Sequence, residues 1–191
     1  MYLQGPRDMT PWNAALLLIP GYILGGAIAP FSGRLSDRMG ARVIASIGLA
    51  LQVCGFLVYS TLGLTTSTYV VVVGAVLNGA GSSSFFPANN SAVMASAPAR
   101  SYGVVSGLLR TLSNIGMVCS FAVALLIASL SIPRQMAFEI FLGVGGIQGQ
   151  LSSAFVDGMH VALAGSISVL LVALVLSVLR GKEARTLEPP A

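Results

Sequence analysis

Apolar positions in this chain run in long uninterrupted stretches. They neither alternate along the sequence nor recur on one side of a helical wheel. Segments such as VALLIASL (residues 123–130) and ISVLLVALVLSVL (residues 167–179) are apolar on every face. Membrane β-barrel strands alternate apolar and polar residues, so continuous apolarity points to helices that span a bilayer. A hydrocarbon core of about 30 Å needs about 20 helical residues. Five stretches meet that length. They are Trp12 to Phe31, stopped by Arg34; Val43 to Leu64; Tyr69 to Ala97, with Pro87 inside and Pro98 after it; Tyr102 to Ile132, with Arg110 inside; and Met159 to Leu179, stopped by Arg180. The segment from Met136 to Leu151 is too short to cross alone, holds Glu139 and is broken by Gly143, Gly145, Gly146 and Gly149. Residues 133–158 therefore read as an extracellular loop, with a short interfacial helix at Gln135 to Leu142. Residues 180–191 read as a cytoplasmic tail. The expected fold is all-α, a polytopic membrane bundle in a single domain.

Composition narrows the function. Of 191 residues, 55% are hydrophobic and 8% charged, against roughly 25% charged in soluble domains. A soluble enzyme, a nucleic-acid module and a disordered tail are excluded, and the expected partner is the lipid bilayer. The net charge of +4 reflects insertion. Five spans place the termini on opposite sides. Arg34, Arg38, Arg42, Arg100, Arg180, Lys182 and Arg185 then share one side, with Arg110 close to it, while only Arg7 and Arg134 lie on the other. The basic side is cytoplasmic by the positive-inside rule.

The connector between the first two spans, SGRLSDRMGAR, holds Gly33, Arg34, Leu35, Asp37, Arg38, Gly40 and Arg42 at fixed spacing. The glycines suit a tight turn. Asp37 is expected just ahead of a helix N-terminus, where a carboxylate is favoured. This pattern resembles the signature loop of the major facilitator superfamily, with Ala41 standing where many members have a basic residue. YLQG at residues 2–5, PWNAALLLIPGYILGGAIAPFSGRLSDRMGAR and FFPANNSAVMASAPARSYGVVSGLLRTLSNIG resemble the fourteen-span drug:proton antiporter branch. The resemblance implies a plasma-membrane transporter in which two helical bundles rock about a midplane site. The chain would supply the last five spans of its C-terminal half. It would work with N-terminal helices encoded before Met1, and residues 1–9 show no signal-peptide pattern. Amphipathic organic solutes would be the cargo. The resemblance also makes the third span cavity-lining, places the first and fourth at the bundle interface, and makes the second and fifth lipid-facing supports. The rival reading is a truncated or non-transporting membrane subunit that needs a partner bundle.

Polar residues inside the spans are the candidate site. Unpaired amides in hydrocarbon cost several kcal/mol, so Asn78, Ser82, Asn89 and Asn90 of the third span must meet protein, water or solute. Asn78, Ser82 and Asn89 share one helix face. Arg110 lies within the fourth span, with Asn114 one turn deeper; an intramembrane charge points to an interface or gating role, with snorkelling of its long stem to the headgroups as the alternative. Gly21 and Gly25, and Gly103 and Gly107, form small-residue pairs suited to close helix contact. The acidic residues Asp8, Asp37, Glu139, Asp157, Glu183 and Glu188 are all expected in loops or tails, and His160 at the outer mouth of the fifth span. No coupling carboxylate is therefore expected inside these spans. One His and two separated cysteines build no usual metal site. Cys54 and Cys119 fall within spans, and no cofactor or catalytic residue is implied.

Overall fold

The computed structural model describes residues 2–4, 7, 9–131 and 150–179. Five long helices form the bundle: α1 (Pro11–Met39), α2 (Ala41–Tyr59), α3 (Thr68–Ala95), α4 (Tyr102–Ser131) and α5 (Gln150–Leu179), with a 3₁₀ turn at Ala99–Ser101 before α4. Each contains a segment long and apolar enough to cross a membrane, and no strand occurs among the described residues. The expected interfacial helix at Gln135 to Leu142 and the expected tail at residues 180–191 lie outside the described residues.

Local chemistry sets several helix ends. Thr10 caps α1 by accepting a bond from the Asn13 N–H, and Pro11 occupies the first turn, where its missing N–H costs nothing. Pro20 and Pro30 sit inside α1 and Pro87 inside α3 without ending either helix. The connector expected over residues 32–42 is almost wholly helical. Gly33, Arg34, Leu35, Asp37 and Arg38 belong to the final turns of α1, and Gly40 alone links α1 to α2. Its φ of 90° is the one positive value among the described glycines, a backbone conformation that suits glycine. Asp37 thus lies on the last turn of α1 rather than in a loop. Asp157 is likewise helical, because α5 begins at Gln150 and not at Met159. The apolar run locates hydrocarbon, while the helix continues past it into the headgroup layer.

The helices run up and down in turn. α3 packs against α1 on one side and α2 on the other, α5 packs against α2, and α4 leans on α5. α2 lies between α3 and α5 and is the most buried of the five, whereas no residue in the most apolar window of α4 or α5 is fully buried.

Packing inverts the soluble pattern. The best-buried side chains are small, with Ala88 at 0% and Ala92 at 1% exposure, while Trp12 (73%) and Val104 (76%) point outward. Lipid tails are as apolar as leucine, so burying large side chains gains little there, and close backbone contact decides association. Glycines supply that contact around α3. A Cβ on Gly21 would come within 2.6 Å of the Ala75 carbonyl oxygen, and one on Gly79 would collide with the Gly21 carbonyl. On the opposite side, a Cβ on Gly48 would meet the Gly81 carbonyl at 2.7 Å, and one on Gly81 would meet the Gly48 carbonyl at 2.7 Å. Ser32 Oγ donates to the Ser84 carbonyl at 3.4 Å, adding a polar tie between α1 and α3.

These contacts separate glycines of identical sequence context. Gly21→Ala and Gly81→Ala are expected to destabilise the bundle by about 1–3 kcal/mol, the usual cost of overpacking. Gly107→Ala, where a Cβ meets nothing within 4 Å, is expected to be neutral or slightly stabilising. Denaturant titration of the detergent-solubilised variants, followed by circular dichroism, checks the difference.

Candidate functional site

The polar face of α3 opens onto a groove against α1. Gly21, Gly25 and Gly26 of α1 keep the wall low there, and the groove holds about 370 Å³. Asn78, Ser82 and Ser83 of α3 line it, with Tyr22 of α1 and Tyr59 of α2. None of the lining residues is charged. One amide, two serine hydroxyls and two phenol rings thus share a groove otherwise walled by Leu18, Ala75 and glycines.

Two of the groove's polar side chains are seated against small residues. Asn78 Nδ2 donates to the Gly74 carbonyl of its own helix at 3.3 Å, and the amide lies directly over Gly55 of α2, where a Cβ would strike it. Tyr59 is seated in the same way, its ring lying over Gly74 and edge-on to Phe56. Tyr22 and Tyr59 escaped the sequence reading. Their signal was available: each is a phenol in an otherwise aliphatic stretch. What was missing was the fold that brings α1 and α2 to the same groove.

The remaining expected site residues are dispersed. Asn89 is half-buried and Asn90 exposed, both beyond the groove on α3. Arg110 and Asn114 are exposed on α4, as are Gly103 and Gly107. The matching pair Gly21 and Gly25 is packed against α3, whereas Gly103 and Gly107 meet nothing. The hydroxyls of Thr111 and Ser113 on α4, and of Ser166 and Ser168 on α5, donate back to carbonyls four residues earlier, at 2.8–3.0 Å. That arrangement lets a helix face lipid. Ser177 is the exception, pairing with Ser46 Oγ of α2 at 2.8 Å.

Both ends of the bundle are tied. At the connector end, the Arg42 guanidinium donates to the Val178 carbonyl in the last turn of α5, where unpaired carbonyls favour a cation. At the other end, Tyr2 and Leu3 are buried with Ala14, Leu62, Val71 and Val156. Tyr2 Oη donates to the Gly63 carbonyl at 2.7 Å and accepts from Arg7 Nε at 3.3 Å. His160 lies at this same end. It is half-buried, and its Nε2 bonds the Leu62 carbonyl at 2.8 Å. Among the described residues no cluster of His, Cys, Asp or Glu is arranged to hold a metal ion, and Cys54 and Cys119 are free thiols.

The profile of the family described as Major Facilitator Superfamily matches residues 1–121. The chain belongs to the major facilitator superfamily. It is a membrane protein of a transporter family, not an enzyme. Among curated proteins it is similar to the lincomycin resistance protein LmrB of Listeria monocytogenes, at 27% identity over 90% of this chain and 37% of that protein. It is also similar to the multidrug resistance protein Stp of Mycobacterium tuberculosis, at 31% identity over 64% of this chain and 22% of the relative. The methyl viologen resistance protein SmvA of Salmonella typhimurium is 28% identical over 58% of the chain and 22% of its own length. The chain thus spans well under half the length of these relatives. No solved structure gives a significant match.

The tie at His160 has a measurable consequence. His160→Ala leaves the Leu62 carbonyl without its partner and is expected to cost about 1–2 kcal/mol. Ser166→Ala, which removes only a bond within one helix turn, is expected to cost less than half as much. Thermal melts of the two variants in detergent give the comparison.

Proposed function

We propose that these five helices form part of the C-terminal half of a plasma-membrane secondary transporter that exports amphipathic organic solutes by alternating access. The basic connector and the C-terminus face the cytoplasm. The observation that carries this reading is the uncharged, hydroxyl- and amide-lined groove between α1 and α3, sited within two membrane-crossing helices. Asn78 Nδ2 is bonded to its own helix, and the amide oxygen and the serine hydroxyls of the groove offer further hydrogen bonds to an entering solute. The resistance-protein relatives support the solute class, since their names describe resistance to lincomycin, methyl viologen and multiple drugs.

The transporter needs a second bundle. Arg110 and Asn114 are exposed on α4, an apolar helix with no covered residue in its spanning window. A charge and an amide facing hydrocarbon are costly, so this face belongs against protein or a water-filled path. N-terminal helices of the same transporter would cover it. The second reading, a non-transporting or truncated membrane subunit, uses the same face on α4 for a partner bundle but assigns no solute to the groove.

Efflux of a fluorescent lipophilic cation such as ethidium, measured in cells carrying the gene, separates the two readings. Ser82→Leu, which fills the groove with apolar bulk, is expected to lower the efflux rate about tenfold or more at unchanged membrane abundance. Ser166→Leu on the outer face of α5 is expected to leave it within about twofold. Equal rates for both variants and the unaltered protein contradict a solute path through the groove.

A further inference from the structure

We propose that the cleft at the connector end of the bundle binds the headgroup of an anionic phospholipid. The ends of α1, α2, α3 and α5 surround a space of about 880 Å³ there, more than twice the volume of the groove between α1 and α3. The solute reading does not use it. Arg38 and Arg42 line it together with the hydroxyl-bearing Ser46 and Ser91. A guanidinium carries five N–H donors in a planar fork, so the bond from Arg42 to the Val178 carbonyl leaves donors for a second acceptor. That fork matches the oxygens of a phosphodiester. Asp37 is the one carboxylate in the wall and has an interaction of its own. Two guanidinium groups against one carboxylate leave the wall cationic.

The lower wall decides between a lipid and a soluble anion. Val43 and Ile47 line the same cleft and are 40% and 47% exposed. Their aliphatic surface continues from the basic rim toward the apolar middle of α2. A soluble phosphate uses only the rim, whereas a phospholipid places phosphate at the rim and acyl chain along Val43 and Ile47. Arg38 and Arg42 make the rim a small basic cluster. Clusters of this kind at the cytoplasmic surface attract anionic lipids. The inference needs the bundle to sit in a bilayer with its basic end inward. It does not need the groove to carry solute, so either can fail alone.

Native mass spectrometry of the full chain, purified in detergent and offered equal amounts of phosphatidylglycerol and phosphatidylcholine, tests it. Phosphatidylglycerol is expected to be retained preferentially, and Arg38→Gln to weaken its retention about fivefold. Ser91→Phe, which fills the cleft without changing charge, is expected to weaken it as well, and carries the test alone if Arg38→Gln fails to fold. Arg100→Gln removes a charge outside the cleft and is expected to leave retention within about twofold. Glycerol phosphate at millimolar concentration is expected not to displace the lipid. Equal retention of the two lipids overturns the proposal. Equal losses in Arg38→Gln and Arg100→Gln overturn it in favour of diffuse surface charge, and displacement by glycerol phosphate in favour of a soluble-anion site.

Discussion

Backbone-to-backbone contact through glycine is the constraint on which the bundle depends. In lipid the hydrophobic effect does not drive one apolar helix onto another, and what remains is close packing of atoms and hydrogen bonds between helices. α3 achieves this on two sides at once, through Gly79 against Gly21 of α1 and Gly81 against Gly48 of α2. The two glycines on α3 are only two residues apart, so they point to different flanks of the helix. One short segment therefore joins three helices. The low wall that admits Tyr22, Asn78 and Ser82 to a common groove follows from the same small residues. Packing and site are consequences of one local composition.

Several hydroxyls on the helices are satisfied within their own helix. On α4 and α5 the hydroxyls of Thr111, Ser113, Ser166 and Ser168 do so, whereas Ser177 pairs with Ser46 of α2. α3 uses the same back-bonding at Asn78, Ser84 and its C-cap Ser96, but its Asn78 amide also lies over Gly55 of α2 and lines the groove. Cross-links at the ends are charged or ring-based, where long side chains reach water. Arg42 grips the end of α5, and His160 and Tyr2 hold the α2–α3 turn through adjacent carbonyls.

The number and order of the helices were legible in the sequence because stretch length is a direct measure of membrane thickness. Their ends were not. Arg34 stops an apolar run but not a helix, so α1 continues to Met39 and carries Asp37 with it. The same misreading put Asp157 in a loop, although α5 starts at Gln150. Small-residue pairs were visible, yet Gly21 with Gly25 is packed while Gly103 with Gly107 is open. A pair of glycines permits contact without naming a partner. Asn78 and Ser82 could be placed on one face from spacing alone. Tyr22, Tyr59 and His160 could not be assigned, because their neighbours lie on other helices, far along the chain.

Gly40 has a mechanical consequence. A single residue with φ of 90° joins α1 to α2, a linkage without slack. Tilting α1 must therefore pull on the first turn of α2, and Arg42, two residues on, relays that pull to the foot of α5. The feet of α1, α2 and α5 thus meet at one joint.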